Sequence, residues 1–114
     1  MTSRLQIQRL AEALDGLITA LYDSTAEEDT GWLRPLAALR GDVYDLLHAT
    51  HTLNPTDLED VCRETLSLFR QDGPDPMFAE RCALQVWSGP AESMASTWLT
   101  EVLAICENSD QPLR

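Results

Sequence analysis

The stretch that decides the fold runs from Leu53 to Pro90: LNPTDLEDVCRETLSLFRQDGPDPMFAERCALQVWSGP. Proline signals divide it at Asn54-Pro55, at Gly73-Pro74-Asp75-Pro76 and at Gly89-Pro90. Asn or Asp followed by Pro marks a helix start. The short side chain caps a free backbone N–H, and proline lacks the N–H that the first turn would leave unpaired. Between the signals Leu58, Val61, Cys62, Leu66 and Phe69 recur at helical spacing, and so do Phe78, Cys82 and Val86. The pattern predicts one helix from Pro55 to about Gln71, stopped by Asp72-Gly73-Pro74. It predicts a second from Pro76 to about Trp87, and a third after Gly89-Pro90 that runs to about Glu107.

The same reading extends toward the N-terminus. Ile7, Leu10, Leu14, Leu17, Ile18 and Leu21 form one stripe of a helix over roughly Arg4 to Tyr22. Ser3 with Gln6 matches a capping box. Asp23 to Gly31 reads as a polar, acidic loop. A further helix spans roughly Trp32 to Leu53, with Pro35 in its first turn and an inner face of Trp32, Leu36, Leu39, Val43, Leu46, Leu47 and Thr50. No segment alternates as a strand does, and several breaks are only a few residues long. The expected architecture is all-α: a compact bundle or orthogonal array of about five helices. It is read as a single helical domain over residues 1–114, with a loose tail over 108–114.

Charge excludes whole classes of partner. The formal net charge is −11, from 19 acids against 8 bases. Phosphates would repel such a chain, so direct nucleic-acid binding and adsorption to an anionic membrane are not expected. The longest uncharged run, Leu46 to Thr56, is too short to span a bilayer. Arg4, Arg9, Glu12 and Asp15 break any signal-peptide core, which points to a cytoplasmic protein. All the bases are arginine, a usage that fits a GC-rich, bacterial type of coding genome and favours planar pairing with carboxylates.

The chemistry-bearing residues give few motifs. Cys62, Cys82 and Cys106 are an odd set at wide spacing, and each falls on an inner stripe, so reduced and shielded thiols are expected. His48 and His51 form HxxH on a helix and raise a metal-binding helical domain as one alternative. A di-metal bundle site needs carboxylates inside the stripes of other helices, and none is present, so no metal and no cofactor is expected. No serine sits in a Gly-x-Ser-x-Gly elbow and no glycine-rich loop could cradle a phosphate, so the chain does not read as an enzyme.

The acidic excess is uneven. Arg4 and Arg9 offset Glu12 and Asp15, Arg34 and Arg40 offset Asp42 and Asp45, and Arg81 offsets Glu80. What remains falls on Asp23, Glu27, Glu28 and Asp29, on the helix after Pro55 and its flanking turn, and on Glu92, Glu101, Glu107 and Asp110. On the helix after Pro55, Asp57, Asp60 and Glu64 share one shoulder. Glu59, Arg63 and Arg70 share the other, with Glu59 and Arg63 at ion-pair spacing. One flank is self-neutralised and the other is bare acid. The helix after Pro76 is apolar nearly all round: Met77, Ala83, Leu84 and Trp87 lie opposite Phe78, Cys82 and Val86. Such a helix is either buried centrally or offers a second face to a partner. Trp98 reads as core, and Trp32 as a cover over the end of the core.

The leading expectation is a small acidic, non-catalytic modulator or inhibitor that docks on a protein partner with a basic surface. That partner would be a nucleic-acid-binding enzyme or a toxin, in the manner of immunity, antitoxin or anti-defence proteins. Asp57, Asp60 and Glu64 would carry the contact, helped by Glu27, Glu28 and Asp29, with Met77, Leu84 and Trp87 as an apolar anchor. The alternative from another class is a structural or regulatory homodimer that buries the helix after Pro76.

Overall fold

The computed structural model describes residues 2–23, 25–48, 55–88 and 94–109. Among these described residues five α-helices follow one another: α1 (Thr2–Asp23), α2 (Arg34–Leu47), α3 (Pro55–Leu68), α4 (Pro76–Ser88) and α5 (Met94–Ser109). A 3-10 helix, Glu27–Leu33, precedes α2. No strand occurs among the described residues. The whole measures 40 × 28 × 25 Å.

Local chemistry accounts for most boundaries. Asp75 caps α4: the Phe78 N–H donates to its carboxylate at 3.1 Å, and Pro76 occupies the first helical position. Pro35 sits in the first turn of α2. Thr25 closes α1 by donating its hydroxyl to the Leu21 carbonyl at 2.7 Å. α3 stops at Leu68, three residues before the expected end. Gly73 then lies so close to the Ser67 carbonyl that a Cβ there would collide with it. Two expectations need correction. Ser3 lies inside α1, which already includes Thr2, and not at the position before the helix. The expected acidic loop is in large part the 3-10 helix: Glu27, Glu28 and Asp29 form its first turn, where acids are favoured, and Leu33 pins its end into the core. Trp32 therefore belongs to this element and not to α2. The Asn54 cap, the Gly89-Pro90 signal, His51 and the end of the tail lie outside the described residues.

The buried apolar side chains form one cluster drawn from every helix. α1 is its axis. It packs most extensively on α5 and then on α2, while α3 packs on α5. The stripe from Ile7 to Leu21 is buried throughout, and so are Ala11 and Ala13, which widen the covered face. Small residues let neighbours approach. The ring of Trp98 on α5 lies directly over Gly16, where a Cβ would overlap the ring. Trp98 is thus half-buried as a cover on α1, not a core residue. α4 is not buried centrally: Phe78, Ala79, Cys82 and Val86 face inward and the opposite side faces solvent.

Polar ties fix the arrangement. Asp15 on α1 accepts hydrogen bonds from Arg40, at 3.1 Å, and from the Tyr44 hydroxyl, both on α2. That bond, followed by burial and the Asp15 charge, raises the Tyr44 pKa. Arg81 on α4 pairs with Asp29 and lies over the Trp32 ring, 4.9 Å from its centre, and Trp32 in turn packs on Phe78. Cys62, Cys82 and Cys106 are buried and in no disulfide.

Gly16→Ala should destabilise the fold by about 1–3 kcal/mol despite alanine's better helix propensity, because the Trp98 ring must shift. Urea unfolding measures this, and Trp98→Leu in the same chain should recover part of the loss. A second outcome follows from Cys82, whose thiol is pushed up to about 12 by burial. The unfolded chain releases this proton first, so stability present below pH 9 should decline between pH 9 and 12, by at most ~1.4 kcal/mol per pH unit for this group. Thermal melts of Cys82→Ser should show a shallower alkaline slope.

Candidate functional site

α2 and α3 face each other across an open cleft of ≈ 420 Å³. Asp42, Asp45 and Leu46 line it from α2, at positions i, i+3 and i+4. Asp57, Asp60, Val61 and Glu64 line it from α3, at i, i+3, i+4 and i+7. Each set is one face of its helix. The result is a groove with five carboxylates on its walls, Leu46 and Val61 at its apolar base, and no basic side chain in its lining.

The sequence singled out Asp57, Asp60 and Glu64, and the structure brings these together. It missed Asp42 and Asp45, which had been assigned to Arg34 and Arg40. Arg40 instead turns to Asp15 on α1. The reason is spatial: Arg40 and Tyr44 are one turn apart on the α2 face that meets α1, and both reach the same carboxylate. Asp42 and Asp45 lie on the exposed side of α2, with no ion pair among the described residues. No signal within α2 alone reveals this, because the competing acid is 25 positions away.

The opposite flank of α3 is not neutralised as expected. Arg63 pairs with Asp60, one turn back at 3.3 Å, and not with Glu59. Arg70 pairs with Asp72 beyond the helix end, at 3.2 Å. Asp60 is therefore engaged from outside the groove, although both partners are well exposed and such pairs contribute little. Asp57 stands in the first turn of α3, where the helix dipole favours a negative charge.

The other nominated residues lie elsewhere. Glu27, Glu28 and Asp29 are exposed on the 3-10 helix and do not line the groove; Asp29 is held by Arg81, which had been matched to Glu80. Met77, Leu84 and Trp87 are 83%, 58% and 62% exposed on the outer side of α4, too open to belong to the core. His48 ends α2 and stacks on Tyr44, with ring centres 6.0 Å apart. Among the described residues no group of three or more His, Cys, Asp or Glu side chains is placed to hold a metal. Nor is any of their helices long and apolar enough to cross a membrane. Compared with known protein families, curated proteins and solved structures, the chain matches none.

Like charges on adjoining helix turns repel by a few tenths of a kcal/mol per pair, and salt screens them. Neutralising Asp42, Asp45 and Glu64 together (D42N/D45N/E64Q) should therefore stabilise the chain by up to ~1 kcal/mol at low ionic strength. The gain should shrink at 1 M salt, as urea titrations at the two ionic strengths would reveal.

Proposed function

We propose that this chain is a small, non-catalytic protein-binding module that receives a basic segment of a partner protein in the α2–α3 groove. The observation that carries this reading is the groove lining itself: five carboxylates from two helices around Leu46 and Val61, with no cation among them. Arginine or lysine side chains of the partner would meet the walls, and an apolar residue between them would cover the base. Charge complementarity of this kind speeds association and selects the partner, while the desolvated apolar contact slows release. A cationic nucleic-acid-binding enzyme or toxin is the class of partner with the matching surface, and the module would act on it as an inhibitor or modulator.

A second reading rests on a separate observation, the exposed Met77, Leu84 and Trp87 on α4. Two copies that paired along this helix would bury those side chains in a symmetric contact and leave the groove free. Sedimentation of the wild type and of L84E/W87E separates the readings, because only self-association through α4 would be lost in that variant.

The main test is capture of a partner from lysate of the source cells, followed by titration of the purified pair. Affinity should fall as salt is raised, mainly through slower association. D57N/D60N/E64Q should weaken capture more than tenfold, about 1.4 kcal/mol or more, with its circular dichroism unchanged. A partner that binds this variant equally well, without salt dependence, would overturn the reading.

A further inference from the structure

The end of the 3-10 helix and the first turns of α2 and α4 line a second cleft, of ≈ 360 Å³. It shares no lining residue with the α2–α3 groove. Its size falls within the range of small-molecule sites, about 300–1,000 Å³. Trp32 and Pro35 contribute apolar surface from one segment, and Met77 and Phe78 contribute it from α4. The rings of Trp32 and Phe78 pack with their centres 5.7 Å apart. The indole N–H of Trp32 is buried, and no described residue accepts a hydrogen bond from it. A buried donor without an acceptor is costly and uncommon, so this wall of the cleft holds a polar group that the chain itself does not satisfy.

The charges of this cleft differ from those of its neighbours. The α2–α3 groove carries five carboxylates, and the cleft beside Trp98 carries Asp15 and Asp23. Here the charged lining is Arg34 and Arg81 against Asp75. Asp75 is turned to the backbone of α4, where it accepts the Phe78 N–H at 3.1 Å. Arg81 is paired with Asp29 and lies over the Trp32 ring. Arg34 is exposed and makes no ion pair with a described residue. Both helices, of 14 and 13 residues, begin at this cleft, and the positive ends of their dipoles add to the Arg34 charge. In a chain with a net charge of −11, this is a local site of the opposite sign.

We propose that this cleft binds a small organic anion of the aryl carboxylate class. The carboxylate pairs with Arg34, whose planar guanidinium can take both oxygens. The ring covers the apolar surface of Trp32, Pro35 and Met77 and leaves water with it. The carboxylate also brings acceptor oxygens beside a tryptophan whose N–H has none. A tilt of the indole is needed for that donor to reach them, because the chain itself covers it. Arg34 disfavours a cation here, whereas the α2–α3 groove favours one, so the two sites sort ligands by sign of charge. The cleft is independent of what the groove receives.

The test titrates the full chain, labelled with nitrogen-15, with phenylacetate, and in parallel with benzyl alcohol and benzylamine, at neutral pH and low salt. Phenylacetate should give saturable shifts on the Trp32 indole N–H and on the amides of Arg34, Met77 and Phe78. Trp32→Phe assigns the indole signal by its loss. Benzyl alcohol keeps the ring without the charge and should bind several-fold more weakly, and benzylamine should leave these signals unmoved. Arg34→Gln should weaken phenylacetate binding roughly threefold to tenfold, and Arg34→Lys by less. Arg34 is exposed, so both variants should keep the wild-type circular dichroism. D42N/D45N, which alters only the groove, should bind phenylacetate as the wild type does. Absence of saturation by about 10 mM phenylacetate, shifts that gather at Trp98 instead, benzylamine binding as tight as phenylacetate, or an Arg34→Gln variant that binds like the wild type would each overturn the proposal.

Discussion

Coverage of α1 from two sides is the constraint on which the other helices depend. Its apolar stripe, widened by Ala11 and Ala13, meets α5 and α2. Fully burying a leucine or isoleucine side chain is worth about 1.5–3 kcal/mol, so this one helix supplies much of the drive for assembly. The close approaches are made with small residues. Gly16 admits the flat face of Trp98, and Asp15, next in the chain, takes Arg40 and Tyr44. Two adjacent residues thus set the position of α5 and of α2 on the same axis.

That arrangement determines the electrostatics. Arginine is scarce, and long-range contacts claim two of the described guanidinium groups: Arg40 by Asp15, and Arg81 by Asp29 and the Trp32 ring. Each such bond ties separate elements together. Each also withdraws a positive charge from acids nearer in sequence. Asp42 and Asp45 lose Arg40 in this way, and they then face α3 across the groove. The acidic groove follows from how the core is held together, with the tie between α1 and α2 as its physical origin.

α4 follows a different logic. Its inner face is short, and its outer face carries Met77, Leu84 and Trp87 into solvent. It is held to the rest by Arg81, by Gln85 donating to the Thr25 hydroxyl at 3.2 Å, and by the ring contacts of Phe78 with Trp32 and Phe69. α3 serves the groove and the core at once: one face carries Asp57, Asp60 and Glu64, and another buries Leu58, Cys62 and Thr65.

Helix number, helix order and most of the buried face were legible in the chain alone, because their causes are local. A 3.6-residue period, an Asp75-Pro76 start and a stripe such as Ile7 to Leu21 act within a few turns and need no partner to be recognised. The same holds for the net charge and for the burial of the three cysteines. The 3-10 helix escaped because its acidic first turn resembles a loop, and its anchors in the core, Leu33 and Trp32, come only at its end. Tertiary structure decided which helix faces which, and with it every choice among competing partners. Arg40 selects an acid 25 positions away and Arg81 one 52 positions away, while Arg63 turns to Asp60 instead of Glu59. The groove and the exposure of α4 are of the same kind. Periodicity identifies the side of a helix that is buried, but ion pairs and clefts form between surfaces that only packing brings together.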